Sequence, residues 1–254
     1  MGIGKLYCRL TCVGWFIGEY GKQAILWVIV CATLVMWLLT LLQLSPQLEE
    51  QATTSNEPKK SLFSLLKRSD VRLFILITGA IQGSHGAYYA FSAIYWNHQG
   101  LSEVSIAWLW GIAVFAEVIL MRFNYSLFSK WSIRQMLLLG LTAAIARWLV
   151  LGLSTDVYLL GVIQTFHAFT FAATHLAAVR YIGLQKNHEM VRYQSLYSGI
   201  ALGLIMALFT YLSGLFFKSL QGNIFLIMSI MLIPIFWCIK VWKVSPEEDE
   251  RVSL

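Results

Sequence analysis

Apolar residues along this chain gather into long unbroken runs instead of alternating with polar ones. Seven runs, near 23–44, 73–96, 105–121, 136–153, 158–179, 196–217 and 224–239, approach the roughly 20 residues that an α-helix needs to cross a bilayer core. Backbone N–H and C=O groups in lipid must be satisfied within the segment, so runs of this length predict helices and not open sheets. A shorter run at 10–18 reaches only about 14 Å at the helical rise and is read as a stub that cannot span alone. Its basic start (Lys5, Arg9) imitates a secretory leader, but Trp15, Phe16 and Glu19 make a poor cleavage site.

Composition agrees with this pattern: 58% of residues are hydrophobic and 13% charged, a ratio that a soluble core of 254 residues does not require. The chain reads as an all-α, polytopic helical membrane protein. Charge then sets orientation. Lys59, Lys60, Lys67, Arg68 and Arg72 lie before the second run, Arg122, Lys130 and Arg134 after the third, and Arg180, Lys186 and Arg192 after the fifth. Lys240, Lys243 and Arg251 lie in the tail, while the alternate loops carry only Lys22 and Lys218. The positive-inside rule therefore puts the basic loops and the C-terminus in the cytoplasm. The same sorting, with anionic headgroups as partners, accounts for the net charge of +6, so no nucleic-acid partner is inferred. Lys5 and Arg9 fall on the wrong side by this parity unless the stub also crosses.

Three ionisable residues interrupt three successive runs: Glu117, Arg147 and His167. A charge at the bilayer centre costs about 2.5–3.5 kcal/mol and persists where it lines a cavity or finds a partner, which makes it a functional-site candidate. Arg147 is too central to snorkel and does not give up its proton, so it needs an anion. Glu117 can supply one from within the chain, and a solute carboxylate can supply one from outside; if protonation frees Glu117 from Arg147, proton and anion alternate at one cation. A static ion pair, or a Glu117 at the interface near Arg122, is the competing reading.

Polar residues also fall into stripes. Gln82, His85, Tyr89, Ser92 and Trp96 recur at spacings of three and four along one helix face, and Gln164, His167, Phe171 and Thr174 do so in the fifth run, with Thr170 beside them. Such faces hydrate a cavity and offer donors and acceptors to a polar or aromatic solute; interhelical hydrogen bonding is the plainer alternative. His175 lies about 80° around an α-helix from His167, so it is assigned to a contact with a neighbouring helix. Small residues at four-residue spacing (Ser195, Gly199, Gly203, Ala207, and separately Gly79, Gly83, Gly86) predict close packing, and Pro234 predicts a kink. Cys8, Cys12, Cys31 and Cys238 show no ligand spacing with histidine and are taken as packing residues; no metal or cofactor is expected. No G-x-S-x-G, H-E-x-x-H or Walker sequence is present, so no enzymatic activity is expected. The stretch 185–192 reads as a solvated loop.

The segment from Gln82 to Trp96 (QGSHGAYYAFSAIYW), followed by Ala116-Glu-Val-Ile, Ala146-Arg-Trp148 and His175-Leu-Ala-Ala-Val-Arg-Tyr-Ile182, closely resembles the 3-phenylpropionic acid transporter family, a branch of the major facilitator superfamily. The resemblance covers nearly all of 73–239. It implies a distant likeness to lactose permeases, whose proton-coupled sites place a glutamate, an arginine and a histidine on successive helices, matched here by Glu117, Arg147 and His167. Those permeases carry a further glutamate three residues after the histidine, where this chain has Thr170, so the proton-bearing role passes to Glu117 or His167.

Family members have twelve helices in two six-helix bundles joined by a cytoplasmic linker. On that plan 1–44 is a remnant of an N-terminal bundle, 45–70 the linker, 71–242 a complete C-terminal six-helix bundle and 243–254 a cytoplasmic tail. The implied activity is proton-coupled uptake of an aromatic carboxylate across a bacterial inner membrane. Arg147, His167, Gln82, His85, Tyr89 and Gln164 would contact solute, and Glu117 and His167 would couple protons. Nucleosides and sugars remain alternative solutes. A remnant of a disrupted transporter gene and a membrane interaction subunit remain alternative classes.

Overall fold

The computed structural model describes residues 23–42 and 62–243, and every regular element among them is helical. The stub, Cys8, Cys12, most of the polar connection and the acidic tail lie outside the described residues. The chain divides into two units, 1–58 and 59–254. In the first, α1 (Gln23–Leu42) is a 20-residue helix without a charged side chain.

Among the described residues the second unit holds six long helical rods. The first is α2 (Ser69–Gly83) followed by α3 (His85–His98); then come α4 (Glu103–Arg122), α5 (Ile133–Leu153), α6 (Val157–Gly183), α7 (Glu189–Leu220) and α8 (Asn223–Val241). The last five are each long and apolar enough to cross a membrane, whereas the first is divided at Ser84 into pieces of 15 and 14 residues. Apolar content drives the rods and polar caps end them. Ser102 accepts from Ser105 N, Asp156 accepts from Leu159 N, and Ser132 with Gln135 forms a reciprocal capping box. These caps sit within four residues of the expected starts, and α8 breaks at Ile233–Pro234, where proline removes a donor.

One expectation needs correction. The stretch 185–192 is not all loop: helix begins at Asn187, and Glu189 and Arg192 turn toward Ser64 and Arg68. The end of the polar connection is also ordered, as a short 3-10 helix at Leu62–Lys67 whose last carbonyls, of Leu66 and Lys67, accept from Arg72 Nη1. Around it Arg68 Nη2 meets Asp70 Oδ2 at 2.7 Å and Arg68 Nη1 meets Glu189 Oε2 at 3.5 Å. The hydrogen bond to Asp70 is the main reason that the Arg68 guanidinium holds its proton above its ordinary value. Beneath this network the rings of Phe74, Tyr181 and Trp242 pack together, Phe74 stacked on Trp242 and Tyr181 edge-on to it, and Trp242 Nε1 donates to Asp70 O at 3.0 Å.

Lipid is as apolar as leucine, so rods in a membrane associate by close packing more than by hydrophobic burial. Gly79, Gly83 and Gly86 supply that contact as predicted, lying against Ala201, Ile205, Phe209 and Thr210 of α7. A Cβ on Gly86 would stand 2.8 Å from Met206 O and 3.0 Å from Thr210 N, backbone atoms that cannot rotate away. Gly86→Val is therefore expected to lower stability by about 1–3 kcal/mol, read as a lower midpoint of thermal unfolding in detergent. The second small-residue ridge behaves otherwise. Ser195, Gly199, Gly203 and Ala207 are all exposed, and nothing stands within 4 Å of a Cβ on Gly199. Small residues permit approach only where another rod stands opposite, and among the described residues none does. The outer faces of α4 and α7 are likewise open and apolar, with Trp108 at 69% and Phe115 at 67% exposure, as a lipid-facing surface requires.

Candidate functional site

Four rods converge on Arg147, which is fully buried in α5. Its guanidinium lies over two rings, 4.3 Å from the Tyr88 centroid and 4.8 Å from that of Trp148. Arg147 Nε and Nη2 both donate to Gln164 Oε1, at 3.3 and 2.8 Å, and Nη1 donates to His167 Nδ1 at 3.0 Å and more weakly to Thr170 Oγ1 at 3.4 Å. Gln164 is fixed in turn, its Nε2 donating to Tyr88 OH at 2.7 Å and to Leu109 O at 3.2 Å.

Glu117 and Arg147 are therefore not directly paired. Glu117 Oε2 lies 3.2 Å from His167 Nε2, on the far side of the imidazole from Arg147. The order is carboxylate, imidazole, guanidinium. Because arginine only donates, His167 Nδ1 must accept, which assigns the ring proton to Nε2 and directs it at Glu117. Among the described residues no carboxylate lies within 4 Å of Arg147, so its charge is met by neutral acceptors and two π faces. A buried charge held this way costs about several kcal/mol of desolvation.

Local distortions of the rods make this convergence. At Ser84 the first rod breaks, and the carbonyls of Ile81 and Gln82 are each 3.1 Å from His85 Nδ1, which donates to them. His85 Nε2 then accepts from Thr170 Oγ1 at 3.0 Å. Ser84 Oγ donates to Ile81 O at 2.7 Å and accepts from Trp148 Nε1 at 2.9 Å, which ties the break to α5. In α6, residues Ala168–Ala173 form a π-helical turn, a distortion frequent at functional sites. Its wider turn advances each residue through fewer degrees than an α-helix does. The rings of His167, Phe171 and His175 consequently stack in one column, with centroids 5.5 and 6.3 Å apart. The 80° offset expected for His175 thus closes within the column, while its Nδ1 still reaches a neighbouring rod, 3.0 Å from Tyr197 OH.

The remaining sequence-predicted residues divide by depth. His85, Gln164 and His167 are in the network itself. Tyr89, 37% exposed, stands at the rim with half-buried Trp110, Phe171 and Glu117, its ring 5.6 Å from His85 and 6.3 Å from His167. Gln82 sits below, its Nε2 donating to Phe171 O at 3.1 Å. Ser92 Oγ and Trp96 Nε1, on the same stripe, are buried without a hydrogen-bond partner among the described residues. The residues that spacing did not single out are Tyr88, Trp148, Ser84 and Tyr197. Tyr88 lies three residues after His85 and four before Ser92, so the periodicity that selected Tyr89 admitted it equally. Among the described residues no three His, Cys, Asp or Glu side chains cluster so as to hold a metal.

A model of the MFS_1 like family matches residues 7–237. The chain is also 37% identical over 161 residues to the protein named "Probable 3-phenylpropionic acid transporter" of Escherichia coli (strain K12), in an alignment covering 63% of this chain and 42% of that relative. The aligned portion is thus less than half of the relative's length. No solved structure matches.

Proposed function

The chain belongs to the MFS_1 like family of multi-pass membrane proteins, and on that premise we propose that it carries an aromatic carboxylate across a bacterial inner membrane together with a proton, its C-terminus in the cytoplasm. On this reading 71–242 is one six-helix bundle of the carrier and Arg147 is the cation that receives the carboxylate. The supporting observation is the chain of contacts from Glu117 through His167 to Arg147. With Glu117 ionised the three groups sum to zero charge. A solute anion entering alone would leave the buried site with a net negative charge, and a low-dielectric interior strongly disfavours that. A proton on Glu117 cancels it. Solute and proton therefore favour each other's binding, which is the thermodynamic content of symport at one-to-one stoichiometry. The aromatic part of the solute has Tyr89, Trp110 and Phe171 at the rim to stack upon.

The test is uptake of labelled 3-phenylpropionate by proteoliposomes held acidic outside. Accumulation above protein-free liposomes that collapses on adding a protonophore is expected. Uptake that ignores the proton gradient removes the coupling, and an absence of specific uptake and binding removes the reading altogether.

A further inference from the structure

The fork of Arg147 that faces α6 is already filled. Gln164 Oε1 accepts from both Nε and Nη2, at 3.3 and 2.8 Å, so a single amide oxygen sits where the two oxygens of a carboxylate would make a bidentate pair. A glutamine amide has nearly the size and planarity of a carboxylate but carries no charge. Its orientation is settled by its other end: Nε2 donates to Tyr88 OH and to Leu109 O, so the oxygen is the atom turned toward Arg147. Both residues are fully buried, and among the described residues no carboxylate lies within 4 Å of the guanidinium.

We propose that Gln164 is a built-in neutral surrogate for the solute's carboxylate, occupying the Arg147 fork while the carrier is empty and yielding it to the entering anion. This rests on Arg147 being the solute's cation and adds what sets its selectivity. An incoming group must outcompete a well-oriented amide oxygen. A carboxylate does so because it brings a full negative charge to the buried cation and two oxygens to its fork, where the amide offers one neutral oxygen. An amide, ester or alcohol of the same shape brings only what Gln164 already provides and gains nothing by exchange. The surrogate thus keeps the buried guanidinium hydrogen-bonded without an anion and rejects uncharged analogues of the solute. A charged residue at the same position would hold the fork too tightly to release it.

The experiment compares binding of 3-phenylpropionate and of its uncharged primary amide to the purified chain in nanodiscs at neutral pH. Wild type is expected to prefer the acid by at least about tenfold. Gln164→Glu, nearly isosteric, should fold with an equal or higher unfolding midpoint, lose about fiftyfold or more in affinity for the acid, and regain part of it as falling pH protonates the new carboxyl. Gln164→Ala should bind the acid about three- to tenfold more tightly than wild type, since nothing needs displacing. A Gln164→Glu protein that binds the acid as wild type does, or that loses acid and amide in equal proportion, overturns the proposal. The carrier reading fails separately. If Arg147→Ala retains full affinity for the acid, or wild type binds neither compound, Arg147 is not the solute's cation and the surrogate goes with it. If acid binding needs Arg147 yet ignores the charge at position 164, the surrogate alone is wrong.

Discussion

Arg147→Ala is expected to lower 3-phenylpropionate uptake by about 100-fold or more, equivalent to about 2.7 kcal/mol or more of lost solute interaction. The side chain is held on every edge, by Gln164, His167 and Thr170 and between the rings of Tyr88 and Trp148. Alanine removes the positive charge that the carboxylate seeks and leaves Gln164 Oε1 and His167 Nδ1 without their donor. Arg147→Lys is expected to recover little. An ammonium is a point charge and cannot face both rings while donating to Gln164 and His167 together. Uptake, solute affinity and the amount of protein in the membrane should be measured on the same preparations. Uptake by Arg147→Ala near the wild-type rate, at equal protein, would dismiss Arg147 from transport.

Glu117→Gln separates coupling from passage. Glutamine keeps an oxygen that can accept from His167 Nε2–H, so the geometry at 3.2 Å survives while the titratable charge does not. The site then stays permanently in the charge state that a protonated Glu117 would give it. Accumulation driven by a proton gradient is expected to fall by about tenfold or more, because no proton need enter or leave with the solute. Exchange of labelled for unlabelled solute, which requires no net proton movement, should persist. Counterflow assays beside gradient-driven uptake resolve the two. Equal loss in both would mean that Glu117 holds the site together, and full retention of gradient-driven accumulation would place the proton elsewhere.

The membrane rods were legible because a run of about 20 apolar residues has few other folded outcomes. The family was legible in the segment from Gln82 to Trp96 and in the short matches after it, and the match over 7–237 bears it out. Glu117, Arg147 and His167 stood out because charge in lipid is costly. Their order in space did not, since a linear pattern gives the face of a helix but not the neighbour opposite. Hence Glu117 reaches Arg147 only through His167, and Gln164 occupies the fork. Periodicity at 3.6 residues also cannot foresee a π turn, which is why it puts His175 on a different side of α6 from His167 although their rings share a column with Phe171. The ridge of Gly199 and Gly203 shows the same limit from another direction. Spacing records the capacity for close approach, and only the assembled bundle records whether a partner uses it.

The Arg147 guanidinium has no surface open to solvent. Mobile ions screen charges that they can approach, over about 8 Å at physiological ionic strength, and a group enclosed by Tyr88, Trp148, Gln164 and His167 lies outside their atmosphere. On the proposed reading, attraction between this cation and an entering carboxylate therefore holds nearly the same strength in dilute and in saline surroundings, and solute affinity is expected to change little across a salt titration.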